Sequence, residues 1–334
     1  MPSSPDGDTG VAEPAADEQS LVVLVHLPKT AGTTLAQLLR HHYRGGAFKG
    51  GGNVFGRPDE VEARLDKIAS TERFRAVAGH LTFGAAERLS SRARYVTILR
   101  EPVARTLSHY FFLVHSARGQ GLVPPWLPEP GPCLTLDECL SDRSYIPDNL
   151  QTRMLCGLVS PYDELPADAL ERAKRNLAER FAYVGTTERF DELLAVLDLA
   201  FGWPTTPYRR ARENADRPGL DDVPPDALRV AAERNALDRE LWEHAGALLD
   251  QQITASGPAF TGELEVLRLA LERWAGTDGP QAPSERGLPT EARVQLALKE
   301  AELADAELEK RRLAVELKGA RRGLREGERG NVQL

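Results

Sequence analysis

Apolar positions along this chain follow two rhythms. Short unbroken runs rich in Val and Leu read as strands buried on both faces: Leu21–His26, Phe74–Ala78, Tyr95–Leu99 and Phe181–Gly185. Apolar residues at helical spacing predict helices over Thr33–His42, Val61–Ala69, Pro102 to about His115, Leu170–Glu179, Asp191–Phe201 and Pro225–Asp250. Pro102 stands where a helix opens, a position at which its missing N–H leaves no bond unmade. Strands alternating with helices predict an α/β fold, a P-loop-like parallel sheet flanked by helices on both faces. Three stretches break the rhythm. Gly45–Gly56 holds six glycines and reads as a loop, residues 119–132 form a Pro-rich loop or lid, and residues 203–226 form a Pro- and Arg-rich loop.

The two ends have a different texture. Residues 1–19 carry five acids, no Lys or Arg and no apolar run, so they read as a disordered leader rather than a signal peptide. Residues 20–275 make up the predicted domain, and 276–289 a Gly/Pro linker. Residues 290–322 are almost all Ala, Glu, Leu, Lys and Arg, a C-terminal helical extension. Its apolar stripes are interrupted by charged and small residues, which leaves two readings open. It is either a single solvated helix or one strand of a coiled coil that would make the chain a homo-oligomer.

Composition narrows the function classes. With 334 residues, 41% of them hydrophobic, the chain can bury a sizeable core. A net charge of −8 argues against nucleic acid as a partner, so any basic site must be local. No window is long and apolar enough for a membrane span. Cys133, Cys139 and Cys156 form no CxxC pair, which predicts reduced thiols, a cytoplasmic location and no metal site.

The first strand runs straight into "HLPKTAGTTL", His26–Leu35. Lys29 lies just past the strand, and Gly32, Thr33 and Thr34 open the next helix. Helix N-termini present unpaired N–H groups and a partial positive charge, which together attract anions. Lys29 adds a full charge and the threonines add hydroxyl donors. The plainer alternative is a turn in which Thr30 or Thr33 merely caps the helix. A magnesium nucleotide loop needs G-x-x-x-x-G-K-[ST], with a glycine directly before the Lys, and here Lys29 precedes the glycine. A metal-free anion fits better than a nucleoside triphosphate.

A second motif, "YVTILREPVARTLSHY", places Arg100 at the carboxyl end of its strand, where open α/β sheets bind ligands. Ser108 follows two helical turns on. A guanidinium and a hydroxyl suit a phosphate. Equally, Arg100 pairs with Glu101 and Ser108 faces solvent.

Together these motifs resemble the carbohydrate sulfotransferases that use 3′-phosphoadenosine 5′-phosphosulfate (PAPS), above all the heparan sulfate 2-O- and 6-O-sulfotransferases and their bacterial relatives. "AGHLTFG" at Ala78–Gly84, "DNLQTRMLCG" at Asp148–Gly157 and "AKRNLAERFAYVGTTERFDELLAVL" at Ala173–Leu197 extend the likeness over Leu21 to Asp250. The resemblance implies that Lys29 contacts the transferring sulfuryl group. Thr30, Ala31, Gly32, Thr33 and Thr34 would cradle the 5′-phosphate, and Arg100 with Ser108 would hold the 3′-phosphate. His80 would be the general base, although Ala78 stands where the 2-O branch has another histidine. The family's basic loop over the donor points loosely to Arg212 and Arg217. Asn149, Gln151 and Arg153 match a 6-O pattern and suit sugar recognition. Trp126 could stack on a sugar ring or anchor its own loop. His26 is expected to brace its turn, and His109 and His115 to pack or face solvent. The acceptor is a glycan or small-molecule hydroxyl. A P-loop kinase, or a non-catalytic interaction protein of this fold, remain the competing readings.

Overall fold

The computed structural model describes residues 20–43, 48–53, 74–86, 93–119, 135–143, 145–208 and 222–276, with Ala63, Leu65, Asp66, Ile68 and Leu89. Five strands form one parallel sheet: β1 (Leu21–Val25), β2 (Phe48–Asn53), β3 (Ala76–His80), β4 (Ala93–Leu99) and β5 (Phe181–Thr186), in the order β2-β3-β1-β4-β5. β1 is central. It alternates along its length, sending Val23 and Val25 into one core and Val22 and Leu24 into another.

The helices are α1 (Gly32–His42), α2 (Phe83–Ala86), α3 (Pro102–Gly119), α4 (Leu136–Ser141), α5 (Leu150–Leu155) and α6 (Ala169–Glu179). They continue with α7 (Phe190–Phe201), α8 (Pro225–Arg234), α9 (Ala236–Ala255) and α10 (Ala259–Gly276). One face of the sheet is covered by α2, α5, α6 and the middle of α9, through Phe83, Leu150, Met154, Ala173, Leu177 and Leu241. The other is covered by α1, α7, the end of α9 and α10, through Leu35, Leu38, Leu194, Leu249 and Leu267. The sheet wrapped on both faces is the architecture expected from the alternating pattern. Cys139 and Cys156 are buried and form no disulfide among the described residues. No helix among the described residues is long and apolar enough to cross a membrane.

Two expectations need correction. Part of the glycine stretch, residues 48–53, is not loop but the edge strand β2, paired to β3 from Phe48↔Ala76 to Asn53↔His80. Its backbone, not its side chains, earns the place. The single helix expected over 225–250 is two helices broken at Asn235 (φ −120°, ψ 31°), whose side chain donates to the Ala231 carbonyl and accepts from Asn149 N–H. Most of the 61–69 helix, residues 120–132 of the expected loop, residues 1–19 and everything after Gly276 lie outside the described residues, while Gly119 is the last residue of α3. The chain divides into two units at Glu272–Arg273, and of the second only residues 273–276 are described.

Candidate active site

All predicted groups that the structure describes on β1, β3 and β4 meet at one carboxyl edge. Val25 pairs with Gly79 on one side and Thr97 on the other, so the three strands finish nearly level. Beyond Val25 the chain turns through two left-handed residues, Lys29 (φ 71°) and Ala31 (φ 62°), neither of them glycine. Each such residue carries a strain of about 1–3 kcal/mol that its surroundings must hold. Two bonds do so: the Thr30 hydroxyl donates to the Leu27 carbonyl at 2.9 Å, and the Arg100 guanidinium donates to the Lys29 carbonyl at 3.1 Å. The Thr30 hydroxyl therefore faces back into the fold, and its contribution to an anion would come through the main chain. Gly32 and Thr33 begin α1, where N–H groups have no intrahelical acceptor and the helix dipole is positive. A loop curled around its own N–H groups at a helix start is an anion cradle.

Gly32 has a further reason to be glycine. A Cβ there would lie 2.0 Å from Cδ2 of His26. The His26 ring in turn lies against His80, with centroids 4.2 Å apart and planes tilted by 33°. His80 closes β3, and its Nδ1 stands 2.8 Å from the His26 carbonyl. A carbonyl can only accept, so Nδ1 carries the proton and a neutral His80 has Nε2 as its basic nitrogen.

On the other flank Arg100 ends β4 as the strand hands over to α3. Its backbone is gripped at both ends by the Gln151 amide: Arg100 N–H donates to Oε1 and Nε2 donates to the Arg100 carbonyl, each at 2.9 Å. Ser108, half-buried, follows on α3. The same helix carries three residues that sequence reasoning missed or set aside. Arg105 is fully buried, with Nη2 donating to the Thr106 hydroxyl, while Nε and Nη1 have no partner among the described residues. Burial lowers its pKa to about 10, Asp238 opposing and Arg100 adding to the shift, so it stays a cation. His109, one turn on, is buried with Nδ1 unpartnered among the described residues. Burial first, then the charges of Arg105, Lys29 and His80, drive its pKa well down and keep it neutral. Of the two roles expected for it, packing or surface, the structure shows the buried one, within electrostatic reach of Lys29 and His80. The Phe112 ring lies beneath the Lys29 ammonium, 4.5 Å from ring centroid to Nζ. Residues 105, 108, 109 and 112 follow the i, i+3, i+4, i+7 spacing of one helix face, a signal that was present in the sequence.

Asn149, Gln151 and Arg153 are not brought to this edge as ligand groups. Their polar atoms are occupied inside the protein. Asn149 Oδ1 accepts from the N–H groups of Leu237 and Asp238 at the start of α9. In return, buried Asp238 accepts from Gln151 N–H, Thr152 N–H and the Thr152 hydroxyl at 3.1, 2.7 and 2.8 Å. Two helix starts, α5 and α9, thus cap each other across the chain. Arg153 donates to the carbonyls of Asp148 and Asp163 at 2.8 and 2.7 Å and fixes the loop between them. Arg212, Arg217 and Trp126 lie outside the described residues. Among the described residues no group of His, Cys, Asp or Glu could hold a metal ion.

Lys29 before a helix start, a clamped arginine and the His80 imidazole, with its Nδ1 on a carbonyl, thus share one edge of the sheet. The chain belongs to the galactose-3-O-sulfotransferase family, whose model matches residues 4–277, and so to the PAPS-dependent carbohydrate sulfotransferases. Heparan sulfate 2-O-sulfotransferase hst-2 of Caenorhabditis elegans is 29% identical over 195 residues, covering 54% of this chain and 59% of the worm protein. Human heparan-sulfate 6-O-sulfotransferase 1 is 28% identical over 283 residues, covering 70% of this chain and 66% of its own. Chicken heparan sulfate 2-O-sulfotransferase 1 is 25% identical over 255 residues, covering 69% of each. The chain therefore spans between about three fifths and two thirds of the worm and human proteins.

Proposed function

We propose that this chain moves a sulfuryl group from PAPS to a hydroxyl of a carbohydrate. The observation that carries the reading is the His80 Nδ1 bond to the His26 carbonyl, which leaves a basic Nε2 at the same sheet edge as the Lys29–Thr34 anion loop.

In this reading the 5′-phosphosulfate lies on the N–H groups of Gly32 and Thr33, and the 3′-phosphate lies between Arg100 and Ser108. The acceptor oxygen attacks sulfur in line. Its proton passes to Nε2 of His80 as the O–S bond forms. The bond between sulfur and the bridging phosphate oxygen breaks, and negative charge grows on that oxygen. The Lys29 ammonium, steadied on Phe112, stabilises that charge more in the transition state than in bound donor. The products are adenosine 3′,5′-bisphosphate and a sulfate ester. The cations Lys29, Arg100 and buried Arg105 give the edge a local positive field inside a chain of net charge −8.

The test is calorimetry of adenosine 3′,5′-bisphosphate against adenosine 5′-monophosphate, followed by mass spectrometry of galactoside and heparan-type acceptors with PAPS and a chelator present. The bisphosphate is expected to bind at least tenfold more tightly, since charge-assisted contacts to the 3′-phosphate are worth roughly 1.5–3 kcal/mol. Equal affinities would remove the donor assignment, and a magnesium requirement would favour a kinase.

A further inference from the structure

His26 has no part in the transfer just described, yet it touches both halves of the site. Its ring fills the space beside Gly32, the first residue of the helix under the donor loop, so tightly that a single added carbon would lie 2.0 Å from Cδ2. The same ring meets His80, 4.2 Å between centroids. The main chain of His26 repeats the connection. Its N–H donates to the Gly79 carbonyl at 2.9 Å and its carbonyl takes the Nδ1 proton of His80 at 2.8 Å. Loop and His80 are therefore linked through this one residue, by its ring and by its main chain. Packed interiors transmit displacement instead of absorbing it. A ligand that shifts the start of α1 moves Gly32, and any shift toward the ring acts on the residue that also touches His80.

We propose that His26 is a positioning residue that couples occupancy of the donor loop to the orientation of His80. With the loop empty, the His80 ring rests on the ring and carbonyl of His26. A filled loop presses the His26 ring against it and holds Nε2 on the line of the acceptor hydroxyl. The base is thereby set only when there is a donor to attack, which limits unproductive contact with acceptor alone. This inference rests on the transfer reading for its purpose, but its physical content is a coupling between two places in the fold.

The experiment uses the full chain with His80 observed by nitrogen-15 imidazole NMR, with and without adenosine 3′,5′-bisphosphate, in the parent protein, His26→Ala and His26→Gln. The parent is expected to show one His80 tautomer, protonated at Nδ1, and a clear change in its ring signals when the bisphosphate binds. In His26→Ala that donor-dependent change is expected to vanish and kcat to fall at least tenfold, while bisphosphate affinity stays within about twofold. His26→Gln keeps a flat group of similar length against His80 and is expected to recover most of the response and of kcat. It also keeps the test alive if the alanine protein does not fold. An unchanged His80 response in both variants would overturn the coupling. So would a loss of bisphosphate affinity as large as the loss of kcat, which would make His26 a part of the donor loop alone. A parent protein that binds the bisphosphate, shows the His80 response and sulfates nothing would refute the transfer reading and leave the coupling standing.

Discussion

Asp238 is the residue whose removal should reach furthest. It is completely buried on the first turn of α9. Burial raises its pKa, while Arg105 and the donors of Gln151 and Thr152 pull it the other way. Replacing it with Ala strands the N–H groups of Gln151 and Thr152 at the start of α5. The Thr152 hydroxyl can turn to another acceptor, but the two N–H groups cannot. At about 1–3 kcal/mol for each unsatisfied buried donor, the loss is about 3 kcal/mol, and removing the carboxylate facing buried Arg105 brings it to about 3–5 kcal/mol. That is a large part of the ~5–15 kcal/mol by which domains are stable, and it corresponds to a melting temperature lower by about 8–15 °C for a domain of this size. Asp238→Asn keeps an oxygen for Thr152 but turns an NH₂ group toward Gln151, so it should fall between the parent and Ala. Urea unfolding at pH 7 gives the stability. Calorimetry gives the second reading: with the tip of α5 released, Gln151 no longer grips the Arg100 backbone, and affinity for adenosine 3′,5′-bisphosphate should drop more than affinity for the 5′-monophosphate. A folded Asp238→Ala protein that loses less than about 1 kcal/mol would refute the view that the crossed caps hold this corner together.

Three further outcomes are expected. His80→Ala should lower kcat by about 10²–10⁴-fold with little change in donor binding, whereas Lys29→Ala should harm both, and the parent rate should fall at acid pH as the base protonates; steady-state kinetics with one acceptor separates the two. Gly32→Ala should weaken bisphosphate binding at least tenfold, by calorimetry, and recover part of it when combined with His26→Ala, because the added carbon then has room. Asp198 is 2% exposed with both carboxylate oxygens unpartnered among the described residues, and burial, with Glu263 adding, lifts its pKa from 3.8 to about 7. A raised carboxyl favours the folded state below its unfolded pKa and loses that contribution as pH rises toward 7. Asp198→Asn should therefore stabilise the protein at pH 8, by up to about 4 kcal/mol, and change little at pH 4, as thermal melts at the two pH values would show.

How much of this was legible depended on what each segment's own side chains decide. Strands β1, β4 and β5 announce themselves because most of their residues are buried and apolar. β2 does not, because residues 48–53 carry three glycines and owe their conformation to hydrogen bonds from β3. The break at Asn235 was hidden for the same reason. Apolar spacing runs on through it, and the interruption comes from Asn149 and Ala231, one of them 86 residues away. At the sheet edge, the positions of Lys29, His80 and Arg100 at the carboxyl ends of strands were readable from the apolar pattern. Asn149, Gln151 and Arg153 were assigned to sugar because amides and guanidinium groups serve ligands and helix caps alike, and only burial tells which. Arg105 was passed over because a single arginine on a helix is usually solvated, and only its spacing with Ser108, His109 and Phe112 hinted at a shared face.

The level finish of β1, β3 and β4 has a consequence for how the protein is made. Parallel neighbours cannot pair through a tight turn, so each pairing waits for a long crossover to close. The anion loop ends β1 and leaves the ribosome first, but its supports arrive later: His80 with β3, the Arg100 bond to Lys29 with β4, and the Gln151 grip on Arg100 only after residue 150. Asp238, which secures α5, comes later still. A nascent chain stopped anywhere before α9 should carry a complete phosphate-loop sequence and no affinity for donor. Ligand added during synthesis would then report the moment the domain closes, with the earliest stretch of the chain becoming competent among the last.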